Sequence, residues 1–251
     1  MKKTISSNLL IIIFSSIYLL FSLLTFKDYG IGIEEHFQRS SGFNWLNYLL
    51  QFSNFENLKE IVDNKIIEIK EIYPNLPSLQ NAPDYGILFD LPAAFFESYF
   101  QIENIQNQFY FRHLASHLIF FISGLLFYKI LNYRIPNKLI CFLGFTIYLL
   151  TPRIYGNSFF DAKDLFFLSM LTTTVFFYFK YEKNKKVLNL LLFSLFCALS
   201  TSSRIVGLII PFAYTIILLL KFLNKRDILK NFRNLILFLF GSGCGISNDF
   251  D

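Results

Sequence analysis

Two adjacent carboxylates, Glu34 and Glu35, follow the first long apolar stretch of the chain and open its longest polar segment. Paired carboxylates near a membrane surface can act as a general base and its helper, taking a proton from a hydroxyl group that attacks a substrate. They can equally belong to an ordinary solvated loop. The other charged residues near the apolar segments indicate which of these two interpretations applies.

Four cations lie at the ends of predicted membrane spans on the outer side of the membrane. Lys and Arg generally concentrate in the inner loops, so these four are exceptions. Charges at membrane depth usually face a cavity or a partner, and the planar fork of arginine can hold phosphate oxygens in a bidentate way. We therefore expect these cations to converge on a lipid-linked phosphate. The alternative for each is an ion pair with a nearby acid or contact with lipid headgroups. The four are Arg112, Arg153, Lys163 and Arg204.

The segment 151–164 is predicted to be a short loop between two spans. It holds Asn157, Asp161 and Asp164 beside two of the four cations, so donors and acceptors lie where a phosphate and a second substrate would meet. His113 is expected to assist Arg112 or to line a polar pocket. Two histidines four residues apart are weak evidence for a metal, so we predict no metal and no cofactor.

The composition indicates a membrane protein. Of the 251 residues, 54% are hydrophobic and 16% are charged, and the mean hydropathy is +0.45, whereas soluble domains have about 25% charged residues. A phosphate-binding glycine loop, a dinucleotide fingerprint and a serine-hydrolase elbow are all absent. The net charge of +5 is explained by membrane topology, so no nucleic-acid partner is expected.

The apolar segments predict an all-α, polytopic transmembrane bundle with about seven spans, in one domain that covers 1–251. The first span is predicted at 9–26, a long outer loop at 28–111, and the span bundle at 112–246. Inside the loop, the apolar residues spaced among charges in Ile61–Ile72 predict an amphipathic helix. The segment Tyr85–Phe100 is predicted to be a membrane-surface or re-entrant helix. The remaining spans are predicted at Leu114–Leu131, Leu139–Leu150, Leu165–Phe179, Val187–Leu199, Ile205–Leu220 and Leu235–Ile246.

The distribution of charges predicts the orientation. With the N-terminus in the cytoplasm, the inner segments hold 14 of the 23 Lys and Arg residues and only two of the 18 acids. Short inner loops next to spans are generally rich in Lys and Arg. The outer loop 28–111, and with it the two carboxylates, is therefore expected on the periplasmic side of a bacterial inner membrane.

Four sequence blocks resemble the membrane-embedded GT-C glycosyltransferases, and more narrowly glycosyltransferase family 39, which includes relatives of protein O-mannosyltransferases and lipid A aminoarabinose transferases. The blocks follow one another in the order expected for that family. They are Tyr29-Gly-Ile-Gly-Ile-Glu-Glu-His-Phe-Gln38, Tyr85-Gly-Ile-Leu-Phe-Asp90, Pro152-Arg-Ile-Tyr-Gly-Asn-Ser-Phe-Phe-Asp-Ala-Lys-Asp164 and Ser203-Arg-Ile-Val-Gly207.

The resemblance implies an inverting transfer of a sugar from a polyprenyl-phosphate donor to a protein, lipid or glycan acceptor at the outer face of the membrane. The proposed base of the family is an Asp in the first loop, and Glu34 stands at that position with Glu35 beside it. Asp161 and Ala162 replace the usual Asn-Pro. Members generally extend beyond a seventh span, so the chain is expected to be the N-terminal part of a longer protein. The alternatives are a non-catalytic protein that binds or transports lipid phosphates, or an inactive truncated remnant.

Overall fold

The computed structural model of the chain describes residues 7–76, 86–223 and 236, and these residues form helices and no strand. Tyr85 and the predicted span Leu235–Ile246 lie outside the described residues, apart from Ile236. The helices in chain order are α1 (Ser7–Thr25), α2 (Glu35–Leu50), α3 (Glu56–Ile72), α4 (Asp90–Tyr99), α5 (Ile105–Arg134), α6 (Lys138–Leu150), α7 (Pro152–Phe160), α8 (Ala162–Asn184), α9 (Val187–Ser203) and α10 (Ile209–Leu223).

The helices fit an all-α membrane bundle, as the sequence predicts. Two of them, α5 and α8, are long and apolar enough to cross a bilayer, and α6 together with α7 makes a third candidate that bends by 52°. Three shorter apolar helices, Leu9–Thr25, Val187–Ser203 and Ile205–Leu220, coincide with predicted spans. A helix rises 1.5 Å per residue, so each of these three is shorter than a typical hydrocarbon core of about 30 Å.

Two segments differ from the prediction. Helix α5 contains the predicted span Leu114–Leu131 but begins nine residues before it, at Ile105, where the side chain of Asn104 accepts a hydrogen bond from the backbone N–H of Gln106 at 2.8 Å. The predicted loop 151–164 is mostly helical, as α7. Pro152 occupies the first helical turn, where its missing N–H costs nothing, and α7 ends before Asp161.

The chain divides into two compact units, of which the first contains Met1–Phe120 and Thr146–Leu165. In this unit α2 packs against α3 and α4. Its apolar core includes Phe43, Val62 and Ile69. Gly42 allows the close approach of α2 to α4, because a Cβ atom at this position would lie 2.4 Å from the backbone oxygen of Asp90.

The second unit contains Phe121–Phe145 and Phe166–Asp251. Its core is apolar and aromatic, and Leu190, Phe193 and Tyr214 are buried in it. Arg204 follows α9, in extended backbone, before the short 3-10 turn Ile205–Leu208 that packs on α9 and α10.

Candidate functional site

Glu35 is a buried carboxylate that ties the start of α2 to two other parts of the first unit. Its Oε2 accepts a hydrogen bond from the backbone N–H of Gly32 at 2.6 Å. His113 of α5 approaches both carboxylate oxygens with Nε2, at 3.1 and 3.3 Å. The side chain of Glu35 is 7% exposed and that of His113 is 1% exposed. Glu35 therefore anchors the turn that precedes α2.

Glu34 has the opposite environment although it is the neighbouring residue. Its side chain is 58% exposed, and its Oε2 accepts from Lys163 Nζ at 3.3 Å. Gln38, one helical turn further on, brings its Nε2 to 3.5 Å from the same oxygen. The carboxylate of Glu34 is therefore accessible from the surrounding solvent, whereas that of Glu35 is mostly buried.

Lys163 stands in the first turn of α8, and Asp161 closes that end of the helix. The carboxylate of Asp161 accepts from the backbone N–H of Asp164 at 3.2 Å. The positive charge of Lys163 and the partial positive charge of the helix N-terminus therefore lie beside the carboxylates of Asp161 and Asp164 at the same helix start. The first and third sequence blocks of the resemblance, which are more than 100 residues apart, meet at the Glu34–Lys163 ion pair.

A buried ion cluster lies between α2, α4 and α5 of the same unit. Arg39 donates to Glu97 from Nε, at 3.1 Å to Oε1, and also from Nη2. Arg112 donates from Nε to Glu97 at 3.4 Å and from Nη1 to Asp90 at 2.9 Å. None of these four side chains is more than 8% exposed. Buried charges need such complete pairing, because an unpaired charge in the interior is very costly.

The carboxyl group of Asp90 has two opposing influences on its pKa. Burial raises the pKa above the ordinary value and the negative charge of Glu35 adds to this, while the Arg112 guanidinium acts in the opposite direction through its charge and its hydrogen bond. The burial effect is the larger of the two. The ion pair with Arg112 thus offsets part of the cost of placing this acid in the interior.

A small pocket opens beside the cluster, with about 210 Å³ of empty space counted up to and including its mouth. Its polar walls are the two carboxylates Glu35 and Asp90, the guanidinium of Arg112 and the amide of Gln38. Phe89 and Phe159 form apolar walls. The Nη2 atom of Arg112 is buried and has no hydrogen-bond partner among the described residues.

The two histidines of α5 have separate environments. His113 pairs with Glu35, which lines the pocket, and makes no described contact with Arg112. Its predicted role, assistance to Arg112 or a place at a polar pocket, stays a prediction. His117 lies against the ring of Phe159 at 4.1 Å between ring centroids, and its Nδ1 is 2.6 Å from Ser158 Oγ. Ser158 already donates to the carbonyl oxygen of Tyr155 at 2.6 Å, so the serine oxygen accepts from His117 Nδ1–H.

The three predicted cations that belong to the first unit have separate environments in the described structure. Arg112 is buried against two acids, and Lys163 pairs with Glu34. Arg153 is exposed on α7 and makes no ion pair with a described residue. Arg204 belongs to the second unit. Asn157 is half-buried in α7, where its backbone oxygen accepts from the N–H of Asp161 at 2.8 Å.

Sequence reasoning missed Arg39 and Glu97 as members of the site. A usable signal was present for the acids of α4: Asp90 and Glu97 are seven residues apart, so they share one helix face, and that face interrupts an otherwise aromatic segment. For Arg39 the sequence holds no comparable signal, because its partner is 58 residues away in the chain.

The sequence profile of the family described as "dolichyl-phosphate-mannose-protein mannosyltransferase" matches residues 88–247. This match covers more than half of the chain, and the chain therefore belongs to that family of GT-C glycosyltransferases. Searches of characterised proteins and of solved structures gave no significant match.

Membership of this family makes the chain a multi-pass membrane glycosyltransferase that uses a lipid-linked sugar donor and an acceptor. The matched region contains the acids of α4, the cations Arg112 and Arg153, and the Pro152–Asp164 block. Glu34 and Glu35 precede the matched region, so the family match does not bear on their role.

Proposed function

We propose that the chain transfers a sugar from a polyprenyl-phosphate donor to an acceptor hydroxyl at the periplasmic face of a bacterial inner membrane, with Glu34 as the general base. The observation that carries the proposal is the ion pair between Glu34 and Lys163, with 3.3 Å between Oε2 and Nζ. It joins an accessible base to a cation at the start of a long helix.

In the proposed reaction Glu34 takes the proton of the acceptor hydroxyl, whose oxygen forms a bond to the anomeric carbon of the donor sugar. The bond between that carbon and the phosphate oxygen breaks on the opposite face. Its electron pair stays with the phosphate, and polyprenyl phosphate leaves. The sugar thereby changes its anomeric configuration.

Positive charge near the leaving group stabilises the negative charge that the phosphate gains in the transition state. Lys163 supplies such charge beside Glu34, at the start of α8. Arg153 is exposed on the preceding helix, and we propose it as a further contact for the phosphate. Arg204, also expected at the phosphate, stays a proposal from the sequence pattern.

Glu35 has a different proposed role from Glu34. Its hydrogen bonds to Gly32 and His113 hold the turn that carries the base. In addition, a Cβ atom at Gly32 would lie 3.2 Å from the ring of Phe160, so this turn lies close to α7. Glu35 and His113 are thus positioning residues that act through the backbone next to Glu34.

The test uses the purified chain in liposomes with radiolabelled polyprenyl-phosphate mannose, the sugar suggested by the family description, and a membrane extract as a source of acceptors. A transferase releases polyprenyl phosphate and labels an acceptor. Glu34→Gln should bind the donor as the wild type does but release about 10²- to 10⁴-fold less polyprenyl phosphate. Donor binding without release by the wild type would instead identify a lipid-binding or inactive protein.

A further inference from the structure

Two segments of the first unit meet at the Glu34–Lys163 ion pair. One is the turn 29–34, and the other is the end of α7 with the start of α8, residues 159–163. Each segment begins with an aromatic residue, and these two rings are in contact. Tyr29 is stacked on Phe159, with 4.4 Å between the ring centroids and 17° between the ring planes.

A second contact lies between the aromatic pair and the ion pair. A Cβ atom at Gly32 would be 3.2 Å from the ring of Phe160 and 3.3 Å from its backbone oxygen, so the two backbones are close at this point. The contacts thus advance along both segments in the same order and end at Lys163 Nζ and Glu34 Oε2. Whatever fixes the start of each segment should therefore fix the ion pair.

His117 of α5 supports the second segment from within the unit. Its ring is stacked on Phe159 at 4.1 Å between centroids, with only 3° between the planes. Two rings that stack this closely cannot share one face of a third ring, so His117 and Tyr29 lie on opposite faces of Phe159. Beyond the histidine, Tyr18 of α1 continues the stack at 5.4 Å.

A histidine at this place does more than fill space. It lies inside a predicted span, where titratable side chains are costly and mark functional positions. Its Nδ1–H donates to Ser158 Oγ at 2.6 Å, and Ser158 in turn donates to the carbonyl oxygen of Tyr155. A phenylalanine could occupy the same place in the stack but could not make this hydrogen bond. His117 therefore fixes both the ring of Phe159 and the helical turn that precedes it.

We infer that His117 and Tyr29 are positioning residues, which hold Phe159 between them and thereby keep Lys163 beside Glu34; the inference rests on the proposed function for its effect on transfer. His117 is fully buried, so it acts through its neighbours and not on a substrate. A displacement of about 1 Å at a reacting group can cost on the order of 10²-fold in rate. A loosened stack should thus slow the reaction.

The first experiment measures the ion pair without any substrate. The full chain in lipid nanodiscs is treated briefly with an amine-acylating reagent, and mass spectrometry gives the labelling rate of Lys163 relative to that of Lys70, which is exposed on α3. Glu34→Gln breaks the pair and should raise this relative rate about two- to fivefold, the range expected for a partly exposed ion pair. His117→Phe and Tyr29→Leu should raise it in the same way.

Conservative and matched variants separate positioning from a general loss of packing. Tyr29→Phe keeps the stacked ring and should restore the wild-type labelling rate. Ser158→Ala removes the acceptor of the histidine and replaces His117→Phe should that variant not fold. Ser98→Ala is the control for it, because Ser98 is also buried and donates to a carbonyl oxygen, that of Ala94 at 2.9 Å. This control should label as the wild type does.

The second experiment measures release of polyprenyl phosphate by the same variants. His117→Phe and Tyr29→Leu should lower kcat about 10- to 100-fold, with little change in the KM of the donor, as expected when a transition-state interaction is lost. Tyr29→Phe should recover most of the lost turnover.

The two measurements distinguish a failure of the inference from a failure of the proposed function. Wild-type labelling of Lys163 in His117→Phe and in Tyr29→Leu would overturn the inference, whatever the activity. Faster labelling with unchanged kcat would equally overturn it, because the rings would then hold a pair that transfer does not use. A wild-type chain that releases no polyprenyl phosphate would overturn the proposed function, and with it the effect of these residues on transfer.

Discussion

Two regions of the first unit contain acids paired with cations, but in different surroundings. One is the exposed turn that ends in Glu34, and the other is the buried ion cluster between α2, α4 and α5. Glu34 is 58% exposed and is paired with one half-buried lysine. Glu97 is fully buried and is bonded to two arginines. Buried pairs lose much of their Coulomb energy to desolvation, while an exposed carboxylate keeps its access to substrates. We propose that charge serves reactivity in the turn and positioning in the cluster.

Glu35 belongs to the second group although it is adjacent to Glu34. Successive residues at a helix start point in directions about 100° apart, so one side chain faces Lys163 while the next faces His113. The comparison therefore predicts that substitutions in the cluster reduce stability and that substitution of Glu34 does not.

The largest effect on stability is expected for Glu97→Gln. The change leaves the guanidinium groups of Arg39 and Arg112 short of one negative charge in the interior, which should cost about 3–5 kcal/mol of unfolding free energy. The measurement is thermal unfolding of the purified chain in detergent. Glu68→Gln is the control, because the Lys65–Glu68 pair has a partly exposed carboxylate and surface pairs contribute about 0–1 kcal/mol. If both variants unfolded at the same temperature, the buried ion pairs would contribute no more to stability than the exposed pair.

A smaller loss is expected for Gly42→Ala. The added Cβ would lie 2.4 Å from the backbone oxygen of Asp90, so α4 would have to move away from α2 with its two acids. We expect a loss of about 1–3 kcal/mol, which is typical of overpacking. Gly30→Ala is the matched control, since an added Cβ at Gly30 has no atom within 4 Å. If both variants melt at the wild-type temperature, the close approach does not hold the cluster in place.

The smallest effect concerns His36 and depends on pH. Burial lowers the pKa of His36, the negative charge of Glu35 acts in the opposite direction, and the positive charge of Arg39 lowers the pKa further. A lowered pKa means that the folded chain prefers the neutral imidazole, so this contribution to stability is present above the ordinary pKa of about 6.5 and is lost as the pH falls below it. His36→Phe keeps the stacking on Tyr73, at 4.0 Å between ring centroids.

The difference in unfolding temperature between pH 7.5 and pH 5.5 should therefore be smaller in His36→Phe than in the wild type, by an amount on the order of 1 °C. Differential scanning fluorimetry at both pH values measures it. An unchanged or larger difference would mean that His36 does not contribute to the loss of stability in acid.

Local patterns in the sequence predicted much of the fold. The amphipathic pattern at Ile61–Ile72 corresponds to the observed α3, and the first apolar run corresponds to α1. Both follow from the helical periodicity of apolar residues. The segment Pro152–Phe160 was misjudged because its polar residues indicate a connector, whereas proline at the first turn is compatible with a helix.

The pairing of charges could not be predicted in the same way. The sequence drew attention to Arg112 by its position at a span end, but its acidic partners lie 15 and 22 residues away on another helix. Whether a cation is matched by acids or available to a ligand depends on how α2, α4 and α5 pack. The different environments of Glu34 and Glu35 likewise arise from tertiary contacts with α8 and α5.

The most direct test of the account compares Glu34→Gln with Glu35→Gln in one preparation, measuring polyprenyl phosphate release and thermal unfolding together. Glu34→Gln should retain the wild-type unfolding temperature and lose about 10²- to 10⁴-fold in release. Glu35→Gln should unfold at a lower temperature, because the buried carboxylate bonded to His113 is replaced by a neutral amide, and it should retain measurable release. A stable Glu35→Gln variant without activity, beside an active Glu34→Gln variant, would contradict the assignment of Glu34 as the base.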